Sequence, residues 1–233
     1  MASLERPILF RFITLAILGG TGNEGKGLAY RWGRAGYRVL IGSRTDGKAR
    51  AAAAEVMENL GGQGLVEGRT NLEAAEAGDI VILTIPYQAQ RELLTSVEPA
   101  LEGKILVNVV VPLAPPKVTR VQMPPAGSSS QEAQELLGPD VDVVTAFQNV
   151  SHDLLFSDEP IECDVLVCGR DKKARQEVLK LVEAAGMVGY DAGALENAVV
   201  VEGLTSILIH INKQYGVPNS GIRITGVPVP PAE

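Results

Sequence analysis

Leu15-Ala-Ile-Leu-Gly-Gly-Thr-Gly-Asn-Glu-Gly-Lys-Gly27, followed shortly by Ile41-Gly-Ser-Arg44, is the part of the chain that constrains it most. Gly20, Gly22 and Gly25 form G-x-G-x-x-G directly after an apolar run and directly before a helical pattern. That strand-turn-helix setting is what a dinucleotide fingerprint requires. The first glycine permits the tight turn, the second lets backbone N–H groups approach a pyrophosphate, and the third lets the helix lie close on the sheet. The anion then rests on a helix N-terminus.

The end of the second strand tells which dinucleotide. An NAD-selective fold places an Asp or Glu there, about 20 residues beyond the glycines, to bind the ribose 2′-hydroxyl. This chain has Gly42-Ser43-Arg44 instead, with Lys48 one helical turn later. A hydroxyl, a guanidinium and an ammonium suit a 2′-phosphate, so the residues specify NADP. Asp46 lies past the strand end and reads as the next helix's own N-terminal carboxylate. A competing reading makes Ser43 only the cap of that helix, with Arg44 and Lys48 solvated.

At 233 residues and 45% hydrophobic content the chain can bury a sizeable core unaided. A net charge of −7 disfavours nucleic acid and anionic membrane as partners. No apolar run approaches the roughly 20 residues that span a bilayer. Arg6 and Arg11 ahead of Ile13 to Leu18 imitate a signal peptide, but cleavage there would destroy the first strand, so a cytoplasmic protein is expected. Cys163 and Cys168, five apart in an expected strand, face opposite ways and read as reduced core thiols. His152 and His210 lack partners at metal-ligand spacing, and no metal site is expected.

Strand and helix alternate almost throughout, which predicts an α/β fold of Rossmann type, a doubly wound, mostly parallel sheet. Expected strands are Ile13 to Leu18, Val39 to Ile41, Leu65 to Glu67, Asp79 to Thr84, Lys104 to Pro112, Val141 to Ala146, Cys163 to Cys168 and Met187 to Tyr190. Helices are expected over Gly25 to Ala35, Lys48 to Leu60, Leu72 to Ala77, Gln88 to Leu101, Ser128 to Leu137, Lys172 to Ala185 and Leu195 to Tyr215. Pro112 to Gly127 carries five prolines and reads as a lid or a disordered segment. The last helix is apolar on more than one face, which a dimer partner would explain. Residues 1–192 are expected to form the extended NADP-binding domain and 193–233 a small helical segment that closes the cleft and dimerises.

Taken in order, Leu18-Gly-Gly-Thr-Gly-Asn-Glu-Gly-Lys-Gly27, Gly42-Ser-Arg44 with Lys48, Leu83-Thr-Ile-Pro86 with Tyr87, Val111-Pro112, Val167-Cys-Gly169, Asp191-Ala-Gly193 and Gly221-Ile222 resemble the NADPH-dependent coenzyme F420 reductases, the F420:NADP oxidoreductases. The resemblance runs over residues 13 to 224. It implies a sheet like that of 6-phosphogluconate dehydrogenase, a homodimer, and a narrow cleft in which nicotinamide and deazaflavin stack. By the same resemblance Thr21, Gly22, Asn23 and Glu24 contact the pyrophosphate side, and Ser43, Arg44 and Lys48 hold the 2′-phosphate. Ile85 and Val111 flank the nicotinamide and ribose, while Ser220 and Gly221 touch the deazaflavin. Where family members carry His-Thr-Ile-Pro after the sixth strand, this chain has Gln148-Asn-Val-Ser151. Gln148, Asn149 and His152 are therefore the expected ligands of the deazaflavin head.

Hydride transfer between two cofactors needs no protein nucleophile, in keeping with a chain that shows no triad and no metal cluster. Two other readings remain open: a reductase of a flavin, ferric chelate or imino acid, and a non-catalytic NADP-sensing module.

Overall fold

The computed structural model describes residues 13–228. Eight strands form one sheet in the order β3-β2-β1-β4-β5-β6-β7-β8. They are β1 (Thr14–Leu18), β2 (Arg38–Ser43), β3 (Leu65–Thr70), β4 (Ile80–Leu83), β5 (Ile105–Asn108), β6 (Asp142–Thr145), β7 (Val165–Gly169) and β8 (Gly189–Asp191). The first six pair in parallel, β7 runs antiparallel to β6, and β8 is parallel to β7. The chain order reverses between β1 and β4, the switch point outside which open α/β sheets bind ligands.

Along β1, Leu15 and Ile17 point into one buried cluster and Ala16 and Leu18 into the other, so the strand is enclosed on both faces. The first face is covered by helices α1 (Asn23–Arg34), α2 (Asp46–Asn59) and, beyond β7, α7 (Lys172–Ala184). The second is covered by α3 (Asn71–Ala77), α4 (Gln90–Val97) and α5 (Ser129–Leu137). A single turn, α6 (His152–Leu155), lies on α1, and α8 (Ala198–Tyr215) closes the C-terminal end.

Several boundaries differ from expectation for local reasons. The strand expected over Lys104 to Pro112 stops at Asn108, whose side-chain Oδ1 accepts from the N–H of Val110 at 3.0 Å and takes that amide out of the ladder. The helix expected over Gln88 to Leu101 is α4 flanked by two 3-10 turns, Tyr87–Ala89 before it and Glu98–Ala100 after it, where Pro99 ends the regular helix. Cys163 precedes β7 rather than opening it; both cysteines are buried and unbridged. The proline-rich segment packs beside α8, where Ser206 Oγ donates to the carbonyl of Arg120 at 3.4 Å. Val121 and Met123 lie where a side chain at Gly203 would come out, 3.4 and 3.6 Å away.

Candidate active site

The site begins in the β1–α1 turn. Gly19 holds a φ of +66°, and its N–H donates to Asn71 Oδ1 at 3.1 Å. A Cβ at Gly19 would stand 2.1 Å from Ile85 Cγ2, so Ile85 at the end of β4 rests directly on the loop. The Gly20 N–H donates to the carbonyl of Gly42 at 3.0 Å and ties the loop to β2. A Cβ on Gly25 would lie 2.4 Å from Gly20 Cα, with no flexible atom to yield, so Gly25 is demanded by the approach of helix to strand. Gly22 differs. Its φ of −80° is open to any residue, and a Cβ there would meet nothing within 4 Å. Nothing among the described residues requires a glycine at 22, and an open backbone is what the close approach of a pyrophosphate would need. Gly22 and Asn23 are exposed and Thr21 half-buried, leaving the helix N-terminus accessible.

At the end of β2, Ser43 is buried and its Oγ accepts from the N–H of Thr45 at 3.5 Å. Thr45, not Ser43, is the N-cap of α2, and Asp46 pairs with Arg50 at 2.8 Å. Thr45 holds the N-cap position without a side-chain cap hydrogen bond, and Arg44 and Lys48 are exposed, as the competing reading also has them. Among the described residues neither cation pairs with a carboxylate. Two uncommitted cations at a strand end, beside a buried hydroxyl, fit a phosphate dianion.

Beyond the loop lies a cleft of about 420 Å³, within the range of small-molecule sites. Val109, Val111 and Leu113 after β5 form one wall, residues 147–153 after β6 the next, and Thr205, Leu208, Ile209 and Asn212 of α8 the third. Glu24, Pro218 and Ser220 complete it. Six of the residues expected from sequence therefore line one cleft: Glu24, Val111, Gln148, Asn149, His152 and Ser220.

Their side chains are not equally free. Gln148 Nε2 donates to the Asn108 carbonyl, and Thr205 Oγ1 donates to the Gln148 carbonyl at 2.8 Å, fastening α8 to the β6 end. Asn149 Nδ2 donates to the Asp164 carbonyl at 2.7 Å. With both amide nitrogens committed, the unpartnered atoms are the acceptors Gln148 Oε1 and Asn149 Oδ1. His152 opens α6, half-exposed, 3.2 Å from Asp153. Ser220 Oγ donates to the Leu208 carbonyl at 3.3 Å.

Gly221 packs on Cys163: a Cβ there would stand 2.8 Å from Cys163 Sγ and 2.9 Å from its Cβ, while its neighbour Ser220 lines the cleft. Ile85 also lies outside the cleft lining, on the glycine loop, and the Tyr87 hydroxyl donates to Glu132 Oε2 at 2.6 Å. His210 is exposed on α8.

Three features escaped sequence reasoning. Phe147, at the end of β6, has a φ of +76°, an uncommon backbone state for a bulky residue and one that concentrates at ligand sites. Its ring meets Trp32 edge-on at 5.7 Å. Arg31, buried on α1, donates to the carbonyls of Leu155, Leu154 and Glu159 at 2.8 to 2.9 Å and pins α6 beside the cleft. Glu202 of α8 is buried beneath the start of α5, accepting from the N–H groups of Ser129 at 2.7 Å and Ser130 at 3.0 Å and from Ser130 Oγ at 2.8 Å. Burial pushes the Glu202 carboxyl up to about 7 despite those donors. The only sequence signal was a Glu in an apolar helix, which also describes a solvated residue.

The family model described as NADP oxidoreductase, coenzyme F420-dependent, matches residues 14–112. Over 223 residues the chain is 40% identical to an F420-dependent NADP reductase of Methanocaldococcus jannaschii, spanning 92% of this chain and 99% of that protein. The chain belongs to the F420-dependent NADP reductase family. A second such reductase, from Methanothermobacter marburgensis, is 39% identical over 92% of the chain and 99% of its own length. A crystal structure of an Arthrobacter protein, provisionally named an F420-dependent NADP reductase, superposes with a TM-score of 0.76 at 26% identity, covering 91% of this chain and 99% of that one. Among the described residues no helix is long and apolar enough to cross a membrane, and no three His, Cys, Asp or Glu side chains converge as a metal site.

Proposed function

We infer that this chain transfers hydride between NADP(H) and coenzyme F420. The observation that carries this reading is the full-length relationship to reductases of that name, joined to a cleft that reaches the glycine loop through Glu24. NADP(H) and F420 bring the hydride chemistry with them; the protein binds, orients and excludes water. Thr21, Gly22 and Asn23 would hold the pyrophosphate and Ser43, Arg44 and Lys48 the 2′-phosphate. Ile85 and Val111 flank the nicotinamide ribose. Gln148, Asn149, His152 and Ser220 form the side that receives the deazaflavin, where the two amide oxygens offer acceptors to ring N–H groups.

Mixing the protein with NADPH and F420 tests this reading. Loss of the deazaflavin's visible absorbance in step with NADPH oxidation is expected. Oxidation of NADPH only by a flavin, a ferric chelate or an imino acid would move the chain to another acceptor.

The segment 193–233 is read as the unit that closes the cleft and pairs two copies in a cytoplasmic homodimer. Supporting this, Val200, Ile207 and Tyr215 of α8 are 63%, 48% and 74% exposed and recur along one side of the helix, with Val121 beside it. Sedimentation should give a particle near twice 24.7 kDa, and Ile207→Glu should shift it toward one chain. A wild-type monomer at micromolar concentration would contradict the pairing.

A further inference from the structure

Glu24 is oddly placed for a residue of a phosphate-binding loop. It follows Gly22 by two positions, in the first turn of α1, yet its side chain lines the cleft with Val109, Val111, Phe147 and Val150. Its Oε1 is enclosed with no hydrogen-bond partner. Among the described residues no lysine or arginine lines the cleft, and the other titratable groups there are His152 and Asp153, 3.2 Å from each other. Lys26, on the same helix, is engaged with Glu55 at 2.6 Å. Burial raises the Glu24 carboxyl to about 8, which favours the protonated acid near neutral pH.

We propose that Glu24 is a proton-carrying residue whose protonation is coupled to the redox state of the nicotinamide. The assignment rests on the NADP half of the proposed function. Dihydronicotinamide is neutral, and the neutral acid is its compatible neighbour. As hydride leaves nicotinamide C4 with its electron pair for the acceptor carbon, the nicotinamide ring becomes a cation. A cation beside Glu24 favours the carboxylate, so Glu24 gives up one proton, and the acceptor takes one up on a ring nitrogen. The sum is NADPH, acceptor and protonated Glu24 giving NADP+, the two-hydrogen-reduced acceptor and ionised Glu24, balanced in atoms and charge. Glu24 regains its proton from solvent when NADP+ departs.

The test needs only the two nicotinamide forms. They carry the same phosphates, so the ratio of their dissociation constants isolates the charge on the ring. From pH 6.5 to 9 the affinity for NADP+ relative to NADPH should rise about tenfold, the equivalent of one unit of coupling. In Glu24→Gln, which keeps the shape and cannot ionise, the ratio should stay flat, while His152→Asn should leave the rise intact. A second readout follows from the raised value itself. The folded state holds the Glu24 proton between about 4.5 and 8 where the unfolded chain has lost it, so wild-type stability falls across that window relative to Glu24→Gln and stays level above it. Equal pH slopes in wild type and Glu24→Gln, or a flat wild-type ratio with both cofactors bound, would overturn the proposal. Failure to bind either cofactor would overturn the NADP reading and this assignment together.

Discussion

Gly22→Asp is expected to abolish NADPH binding at no cost to the fold. The position has a β-region backbone, is the N-cap of α1, and has open space where a side chain would go. Asp is a better N-cap than glycine, and its carboxylate favours the positive end of the helix, so the melting temperature should hold or rise. The same carboxylate would stand where the pyrophosphate approaches, replacing attraction by like-charge repulsion and blocking close contact with the backbone. A loss on the order of 3 kcal/mol or more, over 100-fold in affinity, is expected. Calorimetric titration beside a thermal melt checks both halves. Retained NADPH affinity would remove the loop from the cofactor site. Gly25 makes a poor substitute for this test, because a Cβ there would collide with the backbone of Gly20 and unfold the loop.

Arg44→Ala should weaken NADPH binding by about 1.5 to 3 kcal/mol, the scale of a lost charge-assisted hydrogen bond, and leave NADH nearly unchanged. The expectation rests on a guanidinium that is exposed, unpaired among the described residues, and one residue beyond the buried Ser43 hydroxyl. Because Arg44 has no carboxylate to abandon, its removal costs the fold little, and the change in binding reports the phosphate contact directly. Equal losses for the two cofactors would contradict a 2′-phosphate at this site.

The glycine loop and the Ser-Arg pair after β2 were legible in sequence because they are local. The apolar strand, the glycines and the Ser-Arg pair lie within thirty residues, and each is constrained by its own neighbours along the chain. The rest of the candidate site is assembled at a distance. Whether Gly221 faces a ligand or Cys163 depends on how the C-terminal turn meets the chain ahead of β7, which periodicity does not encode. Gln148 and Asn149 are named by the sequence, but which of their atoms stays free depends on the carbonyls of Asn108 and Asp164, donated by other segments. Glu24 reads in sequence as one more polar residue in the loop. Only packing shows that its Oε1 is enclosed. The positive φ of Phe147 has no sequence signature, since a glycine or asparagine would be the ordinary choice there.

The wall supplied by α8 is fastened by Glu202 to two amides and a hydroxyl, with no cation in the contact. Mobile ions screen separated surface charges strongly and buried dipolar contacts hardly at all. Ionic strength should therefore separate the two sides of the proposed site: added salt is expected to compete at Arg44 and Lys48 for a 2′-phosphate, while the Glu202 contact that holds α8 to the start of α5 stays as it is.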